Sequence, residues 1–134
     1  MNKSLVIEST TASLRRVEEF LEEISQEAGF SGESYGKVLV SVMEAVNNAI
    51  IHGNHGDVSK RVTILLGYES STLSITVTDE GNGFSPEMIP DPTSPENIEN
   101  IRGRGVFLMR RLADTIEYNH TGNSVTMSFN RPQG

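Results

Sequence analysis

The chain contains no cysteine, which excludes both a disulfide framework and a thiolate zinc site. Positive charge is scarce: 11 Lys and Arg stand against 18 Asp and Glu, for a formal net charge of −7. Nucleic-acid binders neutralise phosphates with clustered Lys and Arg, so direct nucleic-acid contact is not expected. No run approaches the roughly 20 apolar residues that span a bilayer, and no membrane partner is expected. Met1-Asn2-Lys3-Ser4 opens onto a short apolar run rather than a signal-peptide core. The expectation is a cytoplasmic protein. Histidine is also rare, occurring only at 52, 55 and 120.

What is present suits one globular domain over residues 1–134, with 36% hydrophobic and 22% charged residues. A chain of this length buries roughly two-thirds of the surface its unfolded form exposes. Leu5 to Ile7 reads as a strand, and a helix over about 12–28 carries Leu14, Val17, Leu21, Ile24 and Ala28 at helical spacing, with Gly29 as its C-cap. A second helix over about 33–52 buries Val38, Leu39, Val42, Met43, Val46, Ala49 and Ile50. Glu44, Asn48 and His52 follow at steps of four on its other face.

The apolar period then drops to two. Val62, Ile64, Leu66 and Tyr68 form one strand; Leu73, Ile75 and Val77 form the next, joined through Glu69-Ser70-Ser71 as a hairpin. Residues 80–102 contain four prolines and read as a long loop, a length common in functional lids. A third helix is predicted over about 103–113. A last hairpin sets Ile116 and Tyr118 against Val125, Met127 and Phe129. The fold class predicted is α+β: a two-layer sandwich with helices on one face of a mixed, mostly antiparallel sheet.

Three polar features stand out from this frame. Glu44 and Asn48, four apart on a helix, are stacked neighbours. An amide oxygen there suits Mg²⁺ that also holds phosphate oxygens, and a carboxylate one turn away suits a general base. Taken alone, the pair also fits an ordinary solvated helix face. Asp79 continues the apolar register of its strand, and a carboxylate in that register needs a partner. An adenine amino group is a suitable donor, and Gly81 and Gly83 would let backbone approach the base closely. Arg102-Gly103-Arg104-Gly105 opens a helix, where free N–H groups and the arginines favour phosphate.

The order of these features is more specific than any one of them. It resembles the GHKL (Bergerat) ATPase superfamily, which includes histidine kinases, gyrase-type ATPases and MutL. Glu44 to Gly53 is similar to the family's N box, Asp79 to Phe84 to its G1 box, and Gly103-Arg104-Gly105 to its G2 box. The chain length and the lack of a histidine in the first helix narrow the resemblance to small anti-sigma-factor serine/threonine kinases of bacterial partner-switching systems.

That resemblance implies ATP and Mg²⁺ as cofactors. It implies Asn48 as the metal ligand, Asp79 as the adenine reader, Glu44 as the base and residues 84–106 as an ATP lid. Arg102 or Arg104 would reach the terminal phosphate. The partners implied are a STAS-type antagonist as substrate, a sigma factor that the antagonist displaces unless it is phosphorylated and released, and a second copy of the chain as homodimer. The competing class is a nucleotide-regulated binding module without useful phosphotransfer, and an ATPase attacking with water ranks below both. One departure lies in the last strand: relatives often have Gly-Thr near adenine, where this chain has Gly122-Asn123-Ser124.

Overall fold

The computed structural model describes residues 1–81, 109, 111–119 and 121–134. Strand β1 (Asn2–Glu8) leads through a short 3-10 turn at Thr11–Ser13 into helix α1 (Leu14–Ala28). The helix buries Val17, Leu21 and Ile24, part of the apolar stripe expected. Gly29 ends it in the left-handed conformation (φ 71°), its N–H donating to the Ser25 carbonyl. Helix α2 (Gly32–Asn48) starts at Ser31, whose hydroxyl accepts from the Ser34 N–H at 3.1 Å.

The second helix differs from its sequence reading at the C-terminal end. The α-helical pattern stops at Asn48 and continues as one wide π-turn, Ala49–Gly53. The Asn54 N–H closes it on the Ala49 carbonyl at 2.8 Å. His52 lies within that turn and is half-buried. Single π-turns of this kind recur at functional sites.

Strands β2 (Arg61–Glu69) and β3 (Thr72–Thr78) pair around Ser70 and Ser71, both at positive φ (52° and 62°). Two left-handed residues make a two-residue turn whose twist matches the strands. Strands β4 (Thr115–Tyr118) and β5 (Ser124–Asn130) form the predicted last hairpin, with Ile116 opposite Met127 and Tyr118 opposite Val125. The sheet order is β1-β2-β3-β5-β4. All four pairings are antiparallel, where the sequence reading allowed for a mixed sheet.

Alternation sends Ile7, Val62, Ile64, Leu66, Leu73, Ile75, Val77, Val125, Met127 and Phe129 to the helical side, where they close one core with both helices. The result is the expected two-layer α+β sandwich. The other face of the sheet has no helix over it among the described residues. It carries hydroxyl pairs, Thr76 with Thr126 and Thr78 with Ser124, each at 2.8 Å. Val6 and Leu65 stand half-exposed on it. Of the third helix predicted over 103–113, the structure describes a final turn in which the Ala113 N–H donates to the Met109 carbonyl at 3.0 Å.

Candidate functional site

The end of α2, the end of β3 and the β4–β5 turn converge on one cleft. Ala45, Asn48 and Ala49 line it from the helix, and Val77 and Asp79 from the strand. Tyr118 and the run Gly122–Val125 line it from the hairpin, and Met109 adds a further apolar wall. The cleft's walls resemble those of small-molecule sites in composition. Apolar walls with a few convergent polar groups are the composition such sites share.

Asp79 is built into its position by Asn123, Gly81 and Gly53. Its N–H donates to the Asn123 carbonyl at 2.9 Å, and its carbonyl accepts from the Asn123 amide at 3.2 Å. The Gly81 N–H donates to Asp79 Oδ1 at 2.7 Å. Gly53, at the end of the π-turn, lies directly against the carboxylate: a Cβ there would sit 2.3 Å from both Cγ and Oδ2. Gly81 is held as tightly, since its Cβ would fall 2.0 Å from the Gly53 carbonyl oxygen. Both positions therefore require glycine through close approach; the approach at Gly81 is to Gly53 and Asp79, whereas the sequence reading expected it toward a base.

Behind Asp79 stands Asn54, which is fully buried. Its amide donates to Ser9 Oγ (2.8 Å) and the Arg61 carbonyl (3.0 Å), while its Oδ1 accepts from the Glu80 N–H at 2.8 Å. The Glu80 carboxylate in turn accepts from the Arg61 N–H. Sequence reading passed over Asn54 because asparagine in a turn-rich segment is ordinary; nothing local distinguishes one that faces inward. Asn123 was set aside as a departure from the Gly-Thr pattern, yet it lines the cleft and holds the backbone of Asp79 from both sides. The turn that presents it is organised by Asn119, whose Oδ1 accepts from the Gly122 N–H (2.8 Å) and the Ser124 N–H (3.1 Å). Gly122 takes φ 79° there.

The structure thus brings Asn48 and Asp79 together around the cleft, with Gly81 bonded to Asp79 but outside the lining described. Glu44 lies one helical turn before Asn48, half-exposed and outside the lining described. Gly83, Arg102, Gly103, Arg104, Gly105 and the predicted lid over 84–106 lie outside the described residues. His55 is exposed in a turn at φ 53°, as a solvated turn residue would be.

The cleft's donor set fits a purine nucleotide. Ala45, Ala49, Val77, Met109 and Val125 suit the faces of a base, and the Asp79 carboxylate suits an exocyclic amino group. Among the described residues no three His, Asp or Glu cluster as a metal cage. Mg²⁺ is usually held by one or two protein ligands together with substrate phosphates, and one amide oxygen at Asn48 matches that pattern.

Comparison with known proteins agrees with this geometry. The profile of the histidine kinase-like ATPase domain family matches residues 7–129. The serine-protein kinase RsbW of Oceanobacillus iheyensis is 32% identical over 106 residues, 75% of this chain and 67% of that protein. RsbW of Bacillus subtilis is 26% identical over 115 residues, 81% of this chain and 72% of the relative. Among solved structures, the RsbU and RsbW domains of a Mycobacterium tuberculosis protein superpose over 98% of this chain with a TM-score of 0.72 at 17% identity. The histidine kinase domain of a blue-light-activated kinase from Erythrobacter litoralis superposes over 91%, with a TM-score of 0.53 at 20% identity. At those identities the structures establish the fold; this chain spans 33% of the first and 60% of the second. The chain belongs to the histidine kinase-like ATPase domain family, on the branch that holds the RsbW serine-protein kinases.

Proposed function

We propose that the chain is an ATP-dependent serine/threonine protein kinase that also acts as an anti-sigma factor. The observation that carries this reading is the meeting of Asn48 and Asp79 at one cleft, within a chain related to RsbW kinases. Asp79 accepts from the adenine amino group. Asn48 supplies an oxygen to Mg²⁺, and the metal, when bound, neutralises charge on the phosphates. Residues 84–106 close over the nucleotide, and Arg102 or Arg104 meets the terminal phosphate.

The substrate hydroxyl attacks the γ-phosphorus, the bond from that phosphorus to the β–γ bridging oxygen breaks, and ADP leaves. Glu44 takes the hydroxyl proton. A half-exposed carboxylate one turn from Asn48 is accessible to a protein substrate, which a buried one would not be. The substrate is a STAS-type antagonist, whose phosphorylation releases it and leaves the kinase to hold a sigma factor. These partners are met in the cytoplasm; no helix among the described residues is long and apolar enough to cross a membrane. The uncovered, uncharged centre of the sheet, with Val6 and Leu65 half-exposed, supports association of two copies.

Glu44→Ala tests the chemistry. In an assay with γ-labelled ATP and a purified STAS-type antagonist, transfer is expected to fall by about 10²–10⁴-fold, the usual worth of a general base, with ATP affinity within about twofold of wild type. Transfer at the wild-type rate would remove Glu44 from that role. Absence of transfer by the wild-type chain, with ATP and antagonist both bound, would favour a nucleotide-regulated binding module.

A further inference from the structure

We propose that Asn54 is the positioning residue for base selection, holding the strand end that carries Asp79 in fixed relation to the helix that carries Asn48. The proposal rests on the reading of Asp79 as the adenine acceptor and adds a residue to it.

One side chain here joins three segments distant in sequence. The Asn54 amide donates to Ser9 just past β1 and to the Arg61 carbonyl at the start of β2. Its oxygen accepts from Glu80, the residue following Asp79. Ser9 Oγ passes the connection on to the Lys60 carbonyl at 2.7 Å. Both amide hydrogens and the amide oxygen are engaged, at 0% exposure, so no water substitutes for a lost partner.

The backbone of the same residue faces the other way. Its N–H closes the π-turn on the Ala49 carbonyl, one residue after Asn48. Asn54 also follows Gly53 directly, and Gly53 packs on the Asp79 carboxylate. The helix wall and the strand wall of the cleft are therefore referenced to one residue that touches neither base nor metal. Asn123 holds the peptide between Asp79 and Glu80 by its carbonyl, at 3.2 Å; Asn54 holds the same peptide by its N–H, at 2.8 Å. With the clamp from Asn54 gone, that peptide keeps only the longer contact from Asn123, and the relation of Oδ1 to the Gly81 N–H is less firmly set.

Such a role predicts a loss of selectivity and not only of stability. The measurement is the ratio of ATP to GTP affinity, taken by calorimetric titration in Mg²⁺ for wild type, Asn54→Ala, Ser9→Ala and Asp79→Asn. A partly unfolded sample lowers both affinities together and leaves the ratio unchanged. Asn54→Ala is expected to reduce the ratio about fivefold or more, the scale of one lost hydrogen bond, and Ser9→Ala by less in the same direction. Amide exchange at Glu80 should accelerate in both.

A folded Asn54→Ala with the wild-type ratio, beside a collapsed ratio in Asp79→Asn, overturns the proposal and leaves the base reading standing. An unchanged ratio in Asp79→Asn overturns the base reading and this inference with it. If Asn54→Ala does not fold, Ser9→Ala decides: a lowered ratio supports the role, and the wild-type ratio overturns it.

Discussion

Gly53→Ala is a one-carbon test of the cleft. The added Cβ would lie 2.3 Å from Cγ and Oδ2 of Asp79 and 2.7 Å from Oδ1. Non-bonded carbons sit best at about 3.5 Å or more, so the carboxylate must retreat by about 1.2 Å. The useful range of a hydrogen bond is only about 0.5 Å wide, and a displaced Asp79 no longer meets a base amino group. Losing a hydrogen bond to a charged group costs about 1.5–3 kcal/mol, which is about ten- to 150-fold in ATP affinity. Overpacking adds about 1–3 kcal/mol of destabilisation. Gly53 is not in the left-handed region, so alanine brings no backbone strain of its own and the effect comes from the carboxylate. Calorimetric titration with ATP, paired with thermal unfolding, separates the two losses. A folded variant that binds ATP within twofold of wild type would refute the placement of Asp79 against the ligand.

Asn48→Ala is expected to remove most of the Mg²⁺ dependence of ATP affinity, with the affinity in chelator nearly unchanged; titrations with and without Mg²⁺ check this. A third prediction concerns acid. The hydroxyl and then the N–H of Ser59 hold the Asp57 carboxyl below its ordinary value. A lowered folded pKa contributes stability above the ordinary carboxyl pKa and loses it as pH falls through the folded value. Ser59→Ala should therefore be less stable than wild type near neutral pH, and the gap should close on acidification in urea melts. A gap that stays constant down to pH 2 would remove Asp57 as its cause.

The elements that were legible in the sequence are those whose period is set by burial on one side. Leu73, Ile75 and Val77 alternate because the strand has a core face, and Val17, Leu21 and Ile24 recur because α1 has one. The same alternation singled out Asp79, whose place at the end of that register was correct. The π-turn was not legible: Ala49 to His52 reads as ordinary helix, and the hydrogen bond from Asn54 to Ala49 is what distinguishes it. Gly53 looked like a helix stop, but its reason is a contact with a residue 26 positions away, which no local pattern records. Asn54 and Asn123 were missed for the same cause. Their partners, Glu80 and Asp79, are brought to them by strand pairing. Chain order, in contrast, was enough to place Asn48 and Asp79 at one site, because the helix-then-strand arrangement carries that information.

The most direct test of the cleft is a calorimetric titration of the purified protein with ATP, with and without Mg²⁺, beside Asp79→Asn. Binding is expected to be strengthened by Mg²⁺ and weakened by about ten- to 150-fold in the variant, the scale of one lost hydrogen bond to a charged group. Equal binding by wild type and Asp79→Asn, or no binding by wild type under either condition, would contradict the assignment of this cleft to a nucleotide.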